Sequence, residues 1–171
     1  SSYTYQRFTK HSIYVQHLLN KGINIRHGRE ASIMNSIKVR DVMSTDITTI
    51  AQEMPFRKIL ETISYSKNFY FPVLDNTGDM MGILSFSDIR EVIFEEQLGD
   101  LLVAGELANQ KVIALTPQQN LNEAMEMFAQ LDVDQLPVVG SEDRLKVIGM
   151  LTRGDVMASY NREVLVSGFD R

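Results

Sequence analysis

Residues 82–88 read GILSFSD, and the same pattern returns at residues 149–155 as GMLTRGD. Upstream, FPVL at residues 71–74 returns 65 residues later as LPVV at residues 136–139. The offset grows to 67 for the first pattern because the turn between the strands is longer in the second copy, at residues 140–144. Surface turns tolerate such insertions. The chain therefore contains two copies of one unit, and this repeat decides the fold.

Each unit is predicted to run strand, helix, strand, turn, strand and helix. The segments Ile47–Ile50 and Val112–Leu115 are apolar and mostly β-branched, which predicts a short buried strand at the start of each unit. Apolar residues on one face predict the first helix of each unit, and the last helix is expected to begin at Ser85 or Thr152. The hairpin strands are predicted at Tyr70–Leu74, Met80–Leu84, Leu136–Val139 and Val147–Leu151.

A single unit of about 60 residues would bury too little surface to be stable alone. We therefore expect an α+β fold in which the two copies pack sheet to sheet, related by a pseudo-two-fold axis that leaves paired clefts. Residues 1–36 lie outside the repeat and are predicted to be a linker. Within it, Ile13, Leu18 and Leu19 suggest one short helix, and Gly22–Arg29 is basic and is expected to form a loop.

Composition argues against several classes of function. The net charge is −5, whereas a nucleic-acid-binding protein normally carries a basic surplus. There is no cysteine, so disulfides and thiolate zinc sites are excluded. No apolar run approaches the roughly 18 residues that span a bilayer. The chain begins with Ser1 and not with methionine, so we expect it to be part of a longer protein.

The shared pattern Gly-x-x-Ser/Thr-x-x-Asp has two compatible interpretations. The structural one is a helix cap, in which Ser85 or Thr152 precedes the last helix and Asp88 or Asp155 follows three residues later. The functional one is a phosphate site, because a helix N-terminus presents free backbone N–H groups and a partial positive charge. The hydroxyl would donate to a phosphate oxygen, and the carboxylate would accept from both hydroxyls of a ribose.

Arg153 distinguishes the two copies of this pattern. It lies in the first turn of its helix, where the positive end of the helix dipole repels a cation. Either Arg153 points into water, which weakens this repulsion, or it pairs with an anion such as phosphate. The first copy has Phe86 at this position, so the second motif is predicted to be the better phosphate site. Phe69 or Tyr70 would be able to stack on a purine, although a core strand is the simpler interpretation, above all for Phe71.

Nothing in the sequence indicates catalysis. His11, His17 and His27 all lie in the linker and lack the spacing of metal ligands. The chain has no Ser–His–Asp set and no phosphate-binding glycine-rich loop. We therefore expect no enzyme activity, no resident cofactor and no metal site.

Each copy contains FPV or LPV, followed by GILSFSD or GMLTRGD. This repeat resembles a pair of CBS domains, also called a Bateman module. Residues 39–43, VRDVM, are similar to the family's usual opening, whereas the second copy has AGEL at residues 104–107, which leaves the start of its first strand open. The resemblance implies binding of an adenosine nucleotide (AMP, ADP or ATP) or of S-adenosylmethionine, and assembly into a homodimer. It divides the chain into a linker, two CBS domains and a tail, at residues 1–36, 37–98, 99–163 and 164–171.

The resemblance also implies where a ligand would bind. In one cleft Asp155 would take the ribose, Thr152 and Arg153 the phosphate, and the backbone of Thr49 and Ile50 the adenine edge. The other repeat would complete this cleft with the loop Asn68, Phe69, Tyr70 and Phe71. The pseudo-symmetric cleft would use Ser85, Asp88, Ile113, Ala114 and Gln135.

Short matches in the linker, SIY at residues 12–14, KGI at 21–23 and GRE at 28–30, resemble the stretch that precedes the CBS pair of bacterial CLC chloride channels. The sequence departs from that family at residues 16–17 and at His27. The resemblance implies a regulatory module at the cytoplasmic face of the cell membrane, coupled to a chloride channel or transporter in the same polypeptide. Two alternatives stay open: the same module in another host, such as a magnesium transporter or a metabolic enzyme, and a dimerisation module without a ligand.

Overall fold

The computed structural model describes residues 24–95, 99 and 101–169. Each repeat contains a β-hairpin between two helices, as predicted. In chain order the elements are α1 (Asn24–Ser36), α2 (Val39–Val42), β1 (Ile50–Ala51), α3 (Phe56–Ser64), β2 (Tyr70–Leu74), β3 (Met80–Ser85), α4 (Phe86–Ile93), α5 (Ala104–Leu107), α6 (Leu121–Leu131), β4 (Gln135–Val139), β5 (Val147–Thr152) and α7 (Arg153–Phe169). Among the described residues, no helix is long and apolar enough to cross a membrane.

The two hairpins have equivalent registers. β2 pairs antiparallel with β3 so that Tyr70 lies opposite Ser85, and β4 pairs antiparallel with β5 so that Gln135 lies opposite Thr152. β1 adds a parallel strand beside β2, which gives a three-stranded sheet in the first repeat and a two-stranded sheet in the second. In the first repeat the start of β2 therefore lies beside the start of α4. In the second repeat the start of β4 lies beside the start of α7.

The first strand of each unit is shorter than predicted. Of Ile47–Ile50, only Ile50 enters β1. Val112–Leu115 forms no strand, and only Leu115 reaches the sheet, through one parallel bridge to Val138. The prediction was wrong for the remaining residues because apolar, β-branched composition indicates partly buried chain but does not supply a pairing partner.

The segment predicted as a basic loop is largely helical. α1 begins at Asn24 and packs against α6 and α7 of the second repeat. Met34 and Ile37, at and just after its C-terminal end, lie against the core of that repeat. This burial outweighs the low helix propensity of Gly28 within α1.

Two further predictions concern the ends of the chain. The short helix suggested by Ile13, Leu18 and Leu19 lies outside the described residues. At the other end, α7 continues past residue 163 to Phe169, so most of the predicted tail belongs to a helix.

The two repeats exchange their leading segments, which are residues 37–44 and 102–109. The first of these segments hydrogen-bonds to the second repeat. Val39 N–H donates to the carbonyl of Gln119, just before α6, over 2.9 Å. Ser44 and Met150 exchange two backbone hydrogen bonds, of 2.8 and 2.9 Å.

The second leading segment makes the equivalent contacts with the first repeat. Ala104 N–H donates to Met54 O over 3.0 Å, and Asn109 and Ile83 exchange two backbone hydrogen bonds, of 2.8 and 3.0 Å. α5 therefore stands where α2 stands in the other copy, and the segment AGEL is the true counterpart of VRDV at residues 39–42. A reciprocal exchange of this kind is what a two-fold relation between the repeats produces.

The exchange places one leading residue in each hydrophobic core. Val39 is fully buried in the second core and Ala104 in the first. The domain boundaries expected at residues 37 and 99 group each leading segment with its own repeat. The buried residue of each segment nevertheless packs in the core of the other repeat. The first core contains Ile50, Phe56, Ile59, Ile63, Phe71, Val73, Leu84, Ile89 and Ala104, and the second contains Val39, Leu115, Leu121, Ala124, Phe128, Leu136, Val138, Leu151 and Val156.

Candidate functional site

Both predicted helix caps form, but their hydroxyl groups differ. In the first repeat, Asp88 N–H donates to Ser85 Oγ over 3.2 Å, and Ser85 Oγ itself donates to Asp88 Oδ2 over 2.6 Å. In the second repeat, Asp155 N–H donates to Thr152 Oγ1 over 3.0 Å, and Thr152 N–H donates to Asp155 Oδ2 over 3.3 Å. Within the described part of the chain, the Thr152 hydroxyl has no acceptor for its own proton, so it is available to donate.

A cleft of about 700 Å³ opens beside the start of α7. We call it the Thr152 cleft. Both repeats contribute to it, because the first supplies the end of the loop before β2 and the second supplies the β4 start and the first turns of α7. Its lining consists of Lys67, Phe69, Tyr70, Asp134, Gln135, Thr152, Arg153, Gly154 and Met157.

The structure brings four of the predicted residues together in this cleft: Phe69, Tyr70, Thr152 and Arg153. Phe69 is 66% exposed, so its ring is open to a ligand. Asp155 is half-buried one residue after the lining residue Gly154. A carboxylate has about four acceptor positions, so its role in the helix cap leaves capacity for a ligand hydroxyl.

Other residues assigned to this cleft do not line it. The side chains of Ile50 and Phe71 are fully buried in the first core, so neither lines the cleft. The assignment of the Ile50 backbone to the adenine edge stays a prediction. Thr49 and Asn68 are absent from the lining as well. The Asn68 side chain is paired with Gln135, since its Oδ1 accepts a hydrogen bond of 2.8 Å from Gln135 Nε2.

Gln135 was assigned to the other cleft, and the structure corrects this. The residue is only 4% exposed and lies against the Thr152 cleft. Besides its bond to Asn68, its Oε1 accepts from Phe69 N–H over 3.2 Å. The Gln135 amide therefore fixes the loop of the first repeat against the sheet of the second and positions the Phe69 ring at the cleft.

The second predicted site is not assembled from the residues assigned to it. Ser85 and Asp88 line neither described cavity, and the Ser85 hydroxyl is committed to its own cap. Ile113 is 49% exposed. Ala114 lines a different cavity, which is bounded by the hairpin turns and not by the start of α4. The sequence predicted paired clefts with the second motif as the better phosphate site, and the hydroxyl groups of the two motifs do differ in the structure.

Arg153 is held at the Thr152 cleft by two backbone carbonyls and one ion pair. Its Nη2 donates to Val133 O over 3.2 Å and to Phe128 O over 3.5 Å, at the C-terminal end of α6. Its Nε lies 3.2 Å from Asp134 Oδ1, in an ion pair that lacks hydrogen-bond alignment. The side chain is 40% exposed, so the guanidinium is oriented by protein and still reachable from the cleft.

The phenol of Tyr70 lies in an acidic environment. Burial raises the pKa of the Tyr70 phenol above its usual value of 10.0, and the carboxylates of Asp134, Asp88 and Asp132 act in the same direction. The phenol therefore stays protonated at neutral pH and keeps its hydrogen-bond donor. A negatively charged ligand group is expected to bind near Arg153 and Lys67, because the carboxylates around Tyr70 would repel it.

Sequence reasoning missed Lys67, Asp134, Gly154 and Met157. Gly154 and Met157 lie in the first turns of α7, so the motif that identified Thr152 also pointed to them. Asp134 is the counterpart of Phe69 at the repeat offset of 65, and a residue-by-residue alignment of the copies would have found it. Lys67 precedes the matched strand, and no pattern in the sequence marks it.

No group of three or more histidine, cysteine or acidic side chains suited to a metal ion is found among the described residues. The Thr152 cleft offers two cations, a helix N-terminus and two aromatic rings. Such an arrangement suits an anionic ligand with a flat ring system.

Comparison with known proteins agrees with the repeat. The sequence pattern of the CBS domain matches twice, at residues 39–95 and 104–162. The solved structure of CBSX2 in complex with AMP is 24% identical, with a TM-score of 0.65 over 74% of this chain and 98% of that one. The cytosolic domain of the Mg²⁺ channel MgtE in complex with ATP is 21% identical, with a TM-score of 0.61 over 71% of this chain and 48% of that one. At these identities both structures establish the fold alone.

A curated relative, the human chloride channel protein ClC-Kb, is 23% identical over 112 residues, which is 58% of this chain and 16% of that protein. The chain thus spans a small part of this relative. The two family matches cover most of the chain, and they contain both helix caps and both hairpins. The chain therefore belongs to the CBS domain family, as a tandem pair of CBS domains.

Proposed function

We propose that the chain is a regulatory module that senses an adenosine nucleotide in the Thr152 cleft. One observation carries the proposal: the Thr152 hydroxyl is free to donate at a helix N-terminus where Arg153 and Lys67 also converge. CBS pairs are typically regulatory and not catalytic, and the two related structures named above hold AMP and ATP. The combination favours a binding module over an enzyme.

Each part of a nucleotide has a partner in the cleft under this proposal. The phosphates lie at the first turn of α7, where Thr152 donates and Arg153 supplies a charge-assisted hydrogen bond. The ribose hydroxyls donate to Asp155. The adenine ring lies against Phe69 or Tyr70, where stacking contributes about 0.5–1.5 kcal/mol beyond burial. Lys67 neutralises further phosphate charge, which favours ATP and ADP over AMP.

Calorimetry with ATP, ADP and AMP tests the proposal, with Asp155→Ala and Asp88→Ala as a matched pair. Both substitutions remove the acidic partner of a corresponding helix cap. Asp88→Ala loses hydrogen bonds from Ser85 N–H and Ser85 Oγ, and Asp155→Ala loses one from Thr152 N–H, so Asp88→Ala is expected to be the more destabilising control. Only Asp155→Ala is expected to weaken nucleotide binding, by tenfold or more. Equal affinities for the two variants would contradict the assignment of the cleft. No binding of any nucleotide by the wild type would favour the ligand-free dimerisation module.

We further propose a chloride channel or transporter of the CLC type as the host, with this module at the cytoplasmic face of the membrane. The linker matches and the partial likeness to ClC-Kb support this proposal. Coupling of about 1–3 kcal/mol between nucleotide binding and gating would be enough for regulation. Chloride flux through the full-length protein in vesicles, with and without ATP, is the test, and nucleotide-independent flux would contradict it.

A magnesium transporter is the alternative host, since the cytosolic domain of the Mg²⁺ channel MgtE has the same fold. The same vesicles loaded with a Mg²⁺ indicator separate the two hosts, since only one ion should move. The homodimer implied by the family is a further part of the proposal. Light scattering of the purified chain measures its mass directly, and a monomer at micromolar concentration would contradict it.

A further inference from the structure

A second cavity lies at the opposite end of the sheets from the Thr152 cleft. It has a volume of about 600 Å³, within the range of about 300–1,000 Å³ that is typical of small-molecule sites. It shares no lining residue with the Thr152 cleft. Because three of its side chains are methionines, we call it the methionine cavity; it is lined by Met80, Met81, Gln110, Val112, Ala114, Thr116, Gln119, Met127, Val139, Arg144 and Leu145.

The second hairpin turn forms one wall of the methionine cavity. This turn is two residues longer than its counterpart in the first repeat, and the extra length carries Arg144 and Leu145 to the cavity. Met80 N–H donates to Leu145 O over 2.7 Å. Lys146 Nζ lies 2.6 Å from Asp79 Oδ1 and donates to a carbonyl of the first turn, so the two turns are fixed to each other. The wall is thus built by specific contacts between the repeats.

Arg144 is the one charged residue among the described lining residues. It has no ion-pair partner in the ranges that the structure describes. The polar side chain of Gln119 is already engaged, because its Oε1 accepts from Thr116 N–H over 2.8 Å. The nearby N-terminus of α6 is closed by its own capping box. The cavity therefore offers one available cation and a cluster of three thioether side chains, and the rest of its surface is a mixture of polar and apolar groups.

This inventory selects a class of ligand. A polyphosphate needs several donors or cations, and the methionine cavity supplies one. A guanidinium pairs in bidentate fashion with a single carboxylate, which matches its charge and its planar shape. Methionine side chains are flexible and polarisable, so they adapt to an aliphatic chain or an aromatic ring.

We propose that the methionine cavity binds a free monocarboxylic acid with an aliphatic chain. The carboxylate pairs with Arg144 at the rim, and the aliphatic chain lies between Met80, Met81 and Met127. The proposal does not depend on nucleotide binding, because the two cavities have separate linings and separate cations.

Decanoate, titrated by calorimetry into the full chain, is the probe. Wild type is expected to bind it saturably, and Arg144→Gln is expected to weaken binding about tenfold by removing one charge-assisted contact. Arg162→Gln, a change of the same kind at an exposed position of α7, should leave the affinity unchanged. Ala114→Phe, which fills the cavity, should abolish binding.

Three results would overturn the proposal. The first is no saturable binding of decanoate by wild type. The second is equal affinity for wild type and Arg144→Gln. Arg144 is exposed, so this substitution should not disturb folding even if Ala114→Phe does. The third is displacement of decanoate by ATP, since one shared site would then explain both ligands. Asp155→Ala is expected to bind decanoate as tightly as wild type does, because Asp155 does not line the methionine cavity. The test of this cavity is therefore independent of the test of the nucleotide site.

Discussion

Replacing Gly82 with alanine should destabilise the contact where the second leading segment crosses into the first repeat. A Cβ on Gly82 would lie 2.9 Å from Ala108 Cβ and 3.0 Å from Asn109 O. Carbon atoms in ordinary contact are about 3.5–4.0 Å apart. The neighbouring atoms belong to the backbone or sit directly on it, so no flexible side chain can move away. The segment itself must shift by about 0.5–1 Å to restore ordinary contact.

The magnitude follows from what that shift disturbs. Overpacking in a well-packed region costs about 1–3 kcal/mol. Ile83 and Asn109 exchange two backbone hydrogen bonds beside this position, at 2.8 and 3.0 Å. Each contributes about 0.5–1.5 kcal/mol, and a partial relaxation keeps some of that contribution. We expect a loss of about 2–4 kcal/mol in the free energy of unfolding.

Urea unfolding followed by circular dichroism measures this loss, and Gly28→Ala is the matched control. A Cβ on Gly28 meets no atom within 4 Å, and the residue lies inside α1. Alanine at that position should stabilise the protein by roughly 0.5–1 kcal/mol. A Gly82→Ala variant within about 0.5 kcal/mol of wild type, as for an ordinary surface substitution, would refute the close crossing.

Three other substitutions test separate parts of the fold. Gln135→Ala leaves the Asn68 side chain without its partner and should cost about 1–3 kcal/mol by urea unfolding, with a smaller effect pointing to water as a substitute. Phe128→Ala removes a fully buried ring and should cost about 3–5 kcal/mol in the same assay. Hydrogen bonds, chiefly from the Thr77 side chain, lower the pKa of Asp75 below 3.8, so its stabilisation is present above that pH and lost below it. Urea midpoints of wild type and Asp75→Asn should therefore converge as the pH falls below about 3.8, and a constant gap down to pH 2 would contradict this.

The sequence predicted the hairpins and the helix starts because these depend on short-range chemistry. The capping pairs Ser85 with Asp88 and Thr152 with Asp155 lie three residues apart, and the hairpin turns separate their strands by only a few residues. The apolar face of α6 was equally visible, and it is buried as expected at Leu121, Ala124 and Phe128 in one core. Local patterns were enough for these elements.

The exchange of the leading segments was beyond local reasoning. Residues 37–44 and 102–109 carry no strong periodicity, and each finds its partners in the other repeat. The expected boundaries group each segment with its own repeat, as the two family matches also do, and the structure adds that each segment is buried in the other repeat. The same difficulty explains Gln135, since its two partners lie 66 and 67 residues away along the chain.

Arg153 shows the limit for the candidate site. The sequence placed a cation in the first turn of a helix and offered phosphate or water as its partner. The structure adds the carbonyls of Phe128 and Val133, which come from the end of a different helix. Those carbonyls orient the guanidinium before any ligand is bound, and no sequence pattern reveals that contact.

The exchange also limits how a nucleotide signal could leave the pair under the proposed function. Two backbone hydrogen bonds tie each leading segment to the other repeat, between Ser44 and Met150 and between Ile83 and Asn109, and rotation of one repeat against the other would strain them. Their combined contribution of roughly 2–6 kcal/mol is at least comparable to the 1–3 kcal/mol that is typical of coupling between sites. A small displacement of α7 needs no such strain, because this helix begins at the Thr152 cleft and packs against α1, the first described element of the chain. The path from cleft to linker therefore runs along α7 to α1, and a signal carried by this pair depends on helix packing more than on rotation of the repeats.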